Sequence, residues 1–165
     1  TVSMAVRYLG GERPDPREAD RAPLAARWPE VVARYRERVE GCRLHEALAE
    51  FAEVVGDANR TVDAEQPWVL ANAAREGDGA AAERLRGVLG DLVETCRLLG
   101  LLVAPFMPNT APRLLGQLGY DYAYSGDGNG GPALLDELRW GAHVGEAGTL
   151  GQPEPLFPRL DVDPA

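Results

Sequence analysis

Lysine is absent from this chain of 165 residues; all 17 basic side chains are arginine, in a composition rich in alanine, with 19 glycines and 13 prolines. Arginine's planar fork suits bidentate phosphate contacts. GC-rich codon usage accounts for the same bias, however, so the missing lysine assigns no ligand by itself. Cysteine is scarce too. Cys42 and Cys96 stand alone, too few and too far apart for a disulfide framework, and on helical segments they read as small buried hydrophobes in a reducing compartment. No apolar run is long enough to cross a bilayer, and the opening TVSMAVRYLGGERP lacks the basic head and apolar middle of a secretion signal. The expectation is a soluble, cytoplasmic protein with no membrane partner. No period-2 pattern of useful length and no internal repeat is found, which removes the β classes and the solenoids.

Positive charge is also in short supply. The formal net charge of −9 argues against general nucleic-acid binding, which depends on neutralising phosphates. The deficit is uneven: residues 1–45 hold nine arginines and seven carboxylates, whereas residues 46–165 hold eight and nineteen. A polyanion would approach the front of the chain.

What is present is helical periodicity. Val2, Ala5, Val6 and Leu9 open on a helix with no capping residue before it, so the helix is expected to be entered midway and the chain to be cut at its front. A connector from Gly10 to Asp20 follows. The next helix is expected over about 24–40, with Pro29 marking a late start or a kink. Beyond Gly41, the positions Leu44, Leu48, Phe51, Val55, Ala58 and Val62 form the seam of a long amphipathic helix expected to be the central element. Pro67 ends it and occupies a favoured first-turn site for a short helix over about 67–75, with Gln66 as a weak cap. After the turn Glu76 to Ala80, a second long helix carries Leu85, Leu89, Leu92, Cys96, Leu99 and Val103. Asn109 caps a two-turn helix that stops at Gly119. A glycine-rich loop from Tyr120 to Pro132, a short helical piece near Leu134 to Arg139 and an extended tail complete the chain. The fold class expected is all-α, an antiparallel helical bundle with an extended C-terminal tail, residues 1–165 forming a single helical domain.

Catalytic and metal constellations are missing. Cys42, His45, Cys96 and His143 are the soft ligands, but zinc sites bring their ligands in two tight pairs and only Cys42 and His45 are close. HEALA begins like a zinc-protease helix and has Ala49 where the second histidine must stand. Glu46, Glu50 and Glu53 share a helix face without the Glu-x-x-His pairs of a di-iron site, and read as solvated. No phosphate loop and no nucleophile, base and orienter set is found. No catalytic residue, no metal and no cofactor is expected of these residues. Trp68 then draws attention, directly after Pro67 at a helix start. It is either a core anchor bridging two long helices or a rigid platform on which an unpaired base stacks.

The segments ANRTVDAEQPW, LLVAPFMPNTAPRLLGQLG and PLFPRL, in this order along nearly the whole chain, resemble the C-terminal anticodon-binding domain of the methionyl-tRNA synthetase family, class I aminoacyl-tRNA synthetases; TVSMAVRYLGG resembles its first helix. The resemblance implies that Trp68 stacks on the first base, a cytosine, of the CAU anticodon of a methionine tRNA, with Pro67 positioning it. It implies two partners, the tRNA(Met) anticodon loop and a catalytic domain of the same protein. That domain would perform the ATP-dependent aminoacylation, using ATP and Mg2+. An Asn and an Arg that the family places just before the residue matching Thr1 are missing, as are the nucleotide-binding motifs and zinc-knuckle cysteines. The alternative function is a stand-alone helical-bundle protein-interaction module with Trp68 buried.

Overall fold

The computed structural model describes residues 1–120 and 137–157. Six helices follow in chain order: α1 (Val2–Leu9), α2 (Pro23–Glu40), α3 (Leu44–Glu65), α4 (Pro67–Arg75), α5 (Gly79–Val103) and α6 (Thr110–Gln117). Among the described residues there is no strand, only an isolated antiparallel bridge between Glu12 and Thr149. The chain is the all-α bundle expected. The glycine-rich loop beyond Tyr120 and most of the helical piece near Leu134 to Arg139 lie outside the described residues.

α5 is the axis. It packs against each of the other five helices, and Leu85, Leu89, Leu92, Leu98, Leu101 and Leu102 on its different sides are all buried. This corrects the expectation that the helix after Gly41 is central. α3 is covered on one side, where Ala47, Glu50 and Val54 face the core, while Leu44 and Leu48 of its expected seam are 50% and 39% exposed. A helix covered all round needs apolar or paired residues on every face, and α5 meets that condition with buried Asp91, Glu94, Thr95 and Arg97 between its leucines. α2 begins at Pro23 and runs through Pro29 without a break, forgoing the one backbone bond that a mid-helix proline removes. It is tied to the core by Tyr35 Oη, which donates to the Leu102 carbonyl at 2.7 Å, and by the Trp28 indole, which donates to the Leu138 carbonyl.

Two irregular segments cover the polar side of α5. The connector after α1 lies on its backbone: the Arg17 backbone N–H and Nε donate to the Asp91 carboxylate at 2.8 and 2.7 Å. A Cβ on Gly90 would stand 2.0 Å from the Asp15 carbonyl oxygen. Residues 137–141 cover the next turn, where buried Arg97 pairs with Glu94 through 2.7 and 2.8 Å bonds and donates to the carbonyls of Glu137 and Arg139. The Leu150 N–H donates to the Gly11 carbonyl at 2.8 Å, and Arg13 reaches the carbonyls of Gly119 and Glu146, each at 3.0 Å. The tail then folds back along α6. Its Gly151 and Glu154 amides donate to the Gln117 backbone carbonyl (2.9 Å) and side-chain oxygen (3.2 Å), and Gln117 Nε2 donates to the Glu154 carbonyl (3.0 Å).

Candidate nucleic-acid interface

The junction of α3 and α4 decides where Trp68 points. Gln66 is left-handed (φ 45°, ψ 64°) and belongs to both helix ends. Its N–H closes the last turn of α3 on the Val62 carbonyl at 3.0 Å, and its own carbonyl accepts from the Val69 N–H at 2.8 Å in the first turn of α4. Its side chain caps nothing; the stop comes from Pro67, which has no N–H to extend α3 and whose fixed φ suits the first helical position. The chain thus bends at one residue. Pro67 is buried, Ala71 one turn later packs with Leu85 and Leu89 of α5, and the intervening Trp68 and Val69 turn to solvent, 43% and 49% exposed.

The three tryptophans therefore divide by role. Trp28 is 3% exposed, and Trp140 is half-buried with its indole donating to the Arg17 carbonyl at 3.2 Å. Trp68 is no core anchor: its ring stands at the surface on a short helix whose inward residues are Pro67 and Ala71. A flat, solvent-facing indole is the geometry that base stacking requires.

The soft ligands are not brought together. Cys42 and His45 are exposed around the turn between α2 and α3, whereas Cys96 on α5 packs with Val2 and Val6 of α1, where burial pushes its thiol pKa up. His143 is held between Glu137 and Glu146, at 2.7 and 2.9 Å. The described residues hold no cluster of three or more His, Cys, Asp or Glu able to take a metal ion. The Glu46, Glu50 and Glu53 face is not simply solvated: Glu50 is buried and accepts from Arg34 at 2.8 Å, and Glu46 pairs with Arg38 at 3.0 Å. Among the described residues no helix is long and apolar enough to cross a membrane.

Comparison with known proteins supplies the family. The chain is 32% identical over 168 residues to the methionine-tRNA ligase of Caldanaerobacter subterraneus subsp. tengcongensis, across 99% of its own length and 24% of that protein's. Its fold matches the crystal structure of the apo form of Mycobacterium tuberculosis methionyl-tRNA synthetase with a TM-score of 0.73 and 29% identity, over 98% of this chain and 30% of that one. The chain is homologous to the C-terminal helical region of methionine-tRNA ligases. The ligase of Mycobacterium leprae is 35% identical over 124 residues, 73% of this chain and 22% of the relative. The M. tuberculosis synthetase bound by methionyl-adenylate gives a TM-score of 0.72 at 29% identity, over 95% of this chain and 29% of that one. No family model matches the chain. Against the curated ligases, the chain spans about a quarter of their length. This is a synthetase-derived helical domain.

Proposed function

We propose that this domain recognises the CAU anticodon of a methionine tRNA, with the first anticodon base, a cytosine, stacking on Trp68 and with Pro67 holding the ring in place. One observation carries the reading: the tryptophan that follows the proline, where the family resemblance puts the stacking residue, is turned outward beside the buried Pro67. The reaction, ATP-dependent esterification of methionine to the tRNA, belongs to a catalytic domain of the same protein. That domain would use ATP and Mg2+ in the cytoplasm, and this chain lends it no reacting group. Stacking of one base contributes ~1–3 kcal/mol, which alone corresponds to millimolar affinity at best. The rest of the binding must come from hydrogen bonds to the anticodon and from phosphate contacts elsewhere on the tRNA, because a domain of net charge −9 attracts a polyanion poorly. The alternative, an interaction module with Trp68 buried, has the exposure of that ring against it.

The test is methionylation of a CAU-bearing transcript by the full-length parent enzyme and its Trp68→Ala variant. The expected result is a fall in kcat/KM for tRNA of about tenfold or more, about 1.4 kcal/mol, with methionine-dependent ATP–pyrophosphate exchange unchanged. A smaller fall, or an equal loss in the exchange reaction, would sink the stacking role.

A further inference from the structure

The outward face of α4 holds more than the tryptophan. Trp68, Asn72 and Arg75 follow at intervals of four and three residues and are all exposed, while Pro67 and Ala71 occupy the inward face. Seven residues of helix advance about 10 Å and return to within about 20° of the starting direction. The three side chains therefore stand in one row, and they are of three kinds: a stacking ring, an amide with donor and acceptor, and a cation.

Among the described residues the cation has no ion-pair partner. Arg84 and Arg86 at the start of α5 are held by Glu65 and Glu12 at 2.8 and 2.6 Å, and Arg60 on α3 by Asp57. No carboxylate among the described residues pairs with Arg75. The two acids closest in sequence are diverted: Glu76 is the adjacent residue, which on a helix does not face Arg75, and Asp78 accepts from the Ala81 N–H at 3.0 Å as the cap of α5. A helix C-terminus favours a cation through its dipole. That preference does not select the position in line with Trp68.

Resting on the stacking role of Trp68, we infer that α4 is a track for single-stranded RNA on which Arg75 takes a backbone phosphate of the strand whose base stacks on Trp68. Asn72 stands between them, placed to hydrogen-bond a base edge or a ribose. Base stacking on aromatics beside a cationic path for the backbone is the general chemistry of single-strand recognition, and an arginine fork matches a phosphate. The phosphate contact carries no sequence information and fixes the register in which the bases meet the ring.

The experiment measures binding of a CAU anticodon stem-loop RNA to the full-length parent protein as a function of salt, for the wild type and for Arg75→Gln, Arg75→Lys and Trp68→Ala. Arg75 is exposed, so its variants are expected to keep the helical circular dichroism. Loss of one phosphate contact on a single strand lowers the slope of log affinity against log salt by about 0.7, so between about 50 and 200 mM salt Arg75→Gln should lose about 2.6-fold less affinity than the wild type. Arg75→Lys should keep most of the slope. Replacing single loop phosphates by neutral methylphosphonates should locate one position that weakens the wild type and leaves Arg75→Gln unaffected. An unchanged slope in Arg75→Gln, with binding weakened by Trp68→Ala, overturns the phosphate contact alone. Undiminished binding by Trp68→Ala removes the stacked base and the track together. Equal sensitivity of the wild type and Arg75→Gln to every neutralised phosphate also overturns the assignment.

Discussion

At the residue scale, the charged groups inside the bundle matter more than its leucines for deciding which irregular segments stay in place. Arg97 and Glu94 are each 2% exposed. Arg97 donates to two carbonyls of the 137–139 segment, and the Gly141 N–H donates to Glu94 at 2.8 Å. Arg97→Met would leave Glu94 buried without its counter-charge, and a variant of this kind costs about 3–5 kcal/mol. Urea denaturation is expected to register that loss, and Glu94→Gln in the same chain to recover part of it, because the uncompensated charge is then gone. None of this was legible in the sequence: Glu94 and Arg97 are three residues apart on a helix, where surface pairs abound, and the covering segment lies about 40 residues downstream. Trp68 was half legible. Its position after Pro67 announced a helix start, but the choice between core anchor and platform depended on a rotation set by Gln66, whose left-handed backbone no propensity favours.

At the scale of elements, both long helices displayed a seam with steps of three and four, and periodicity pointed to the wrong one, the helix after Gly41, as central. The distinction lies partly in the seam itself and partly in the residues between its positions. On α3 the seam residues Leu44 and Leu48 remain at the surface with His45 between them, whereas on α5 the intervening Gly90 and Asp91 receive the connector. Gly90 is a packing glycine, since its Cβ would lie 2.0 Å from the backbone oxygen of Asp15. Gly90→Ala is expected to displace the connector and cost about 1–3 kcal/mol. Gly116→Ala on α6 is its control, because nothing lies within 4 Å of the added Cβ and alanine is the better helix former by about 1 kcal/mol. Paired thermal melts of the two variants should therefore move in opposite directions, and a Gly90→Ala protein as stable as the parent would mean that the connector is not held against α5. The boundary at Pro67 was read well, because a proline acts through its own ring and needs no distant partner, whereas Pro29, expected to mark a late start or a kink, lies inside α2, which begins at Pro23. Asn109, expected to cap α6, occupies that position without a side-chain bond.

At the scale of the molecule, the connector after α1, the middle of α5 and the segment around His143 converge on Tyr120. The Arg13 guanidinium lies over its ring, 4.1 Å from the centroid, Arg97 lies at 5.7 Å, and His143 packs against it at 5.2 Å. Burial, with a smaller push from Glu94, drives the Tyr120 pKa up to about 12 despite the opposing arginines. Its ordinary value is near 10, so the phenol is protonated more readily folded than unfolded. The stability this confers is present in full below pH 10 and is lost as pH rises through about 12. Tyr120→Phe is expected to flatten the alkaline fall of the folding free energy across that window, and ultraviolet titration of the folded protein to lose one late-ionising tyrosine while keeping that of Tyr35, whose pKa burial also pushes up. A titration in which Tyr120→Phe ionises like the parent would place the raised group elsewhere. The convergence was invisible in sequence, since it joins residues more than 100 positions apart; the bundle class was visible because it depends on local periodicity.

The contact between the connector and the tail has a mechanical consequence. The Gly11 carbonyl is bonded to the Leu150 amide and Glu12 is bridged to Thr149, so α2 to α6 lie on a loop closed by this clasp. Tension applied between α1 and the tail beyond Leu150 crosses from one side of the clasp to the other and bypasses α2 to α6. As long as the clasp holds, a pull transmitted through α1 or the tail leaves the elbow at Gln66, and the ring it aims, unloaded.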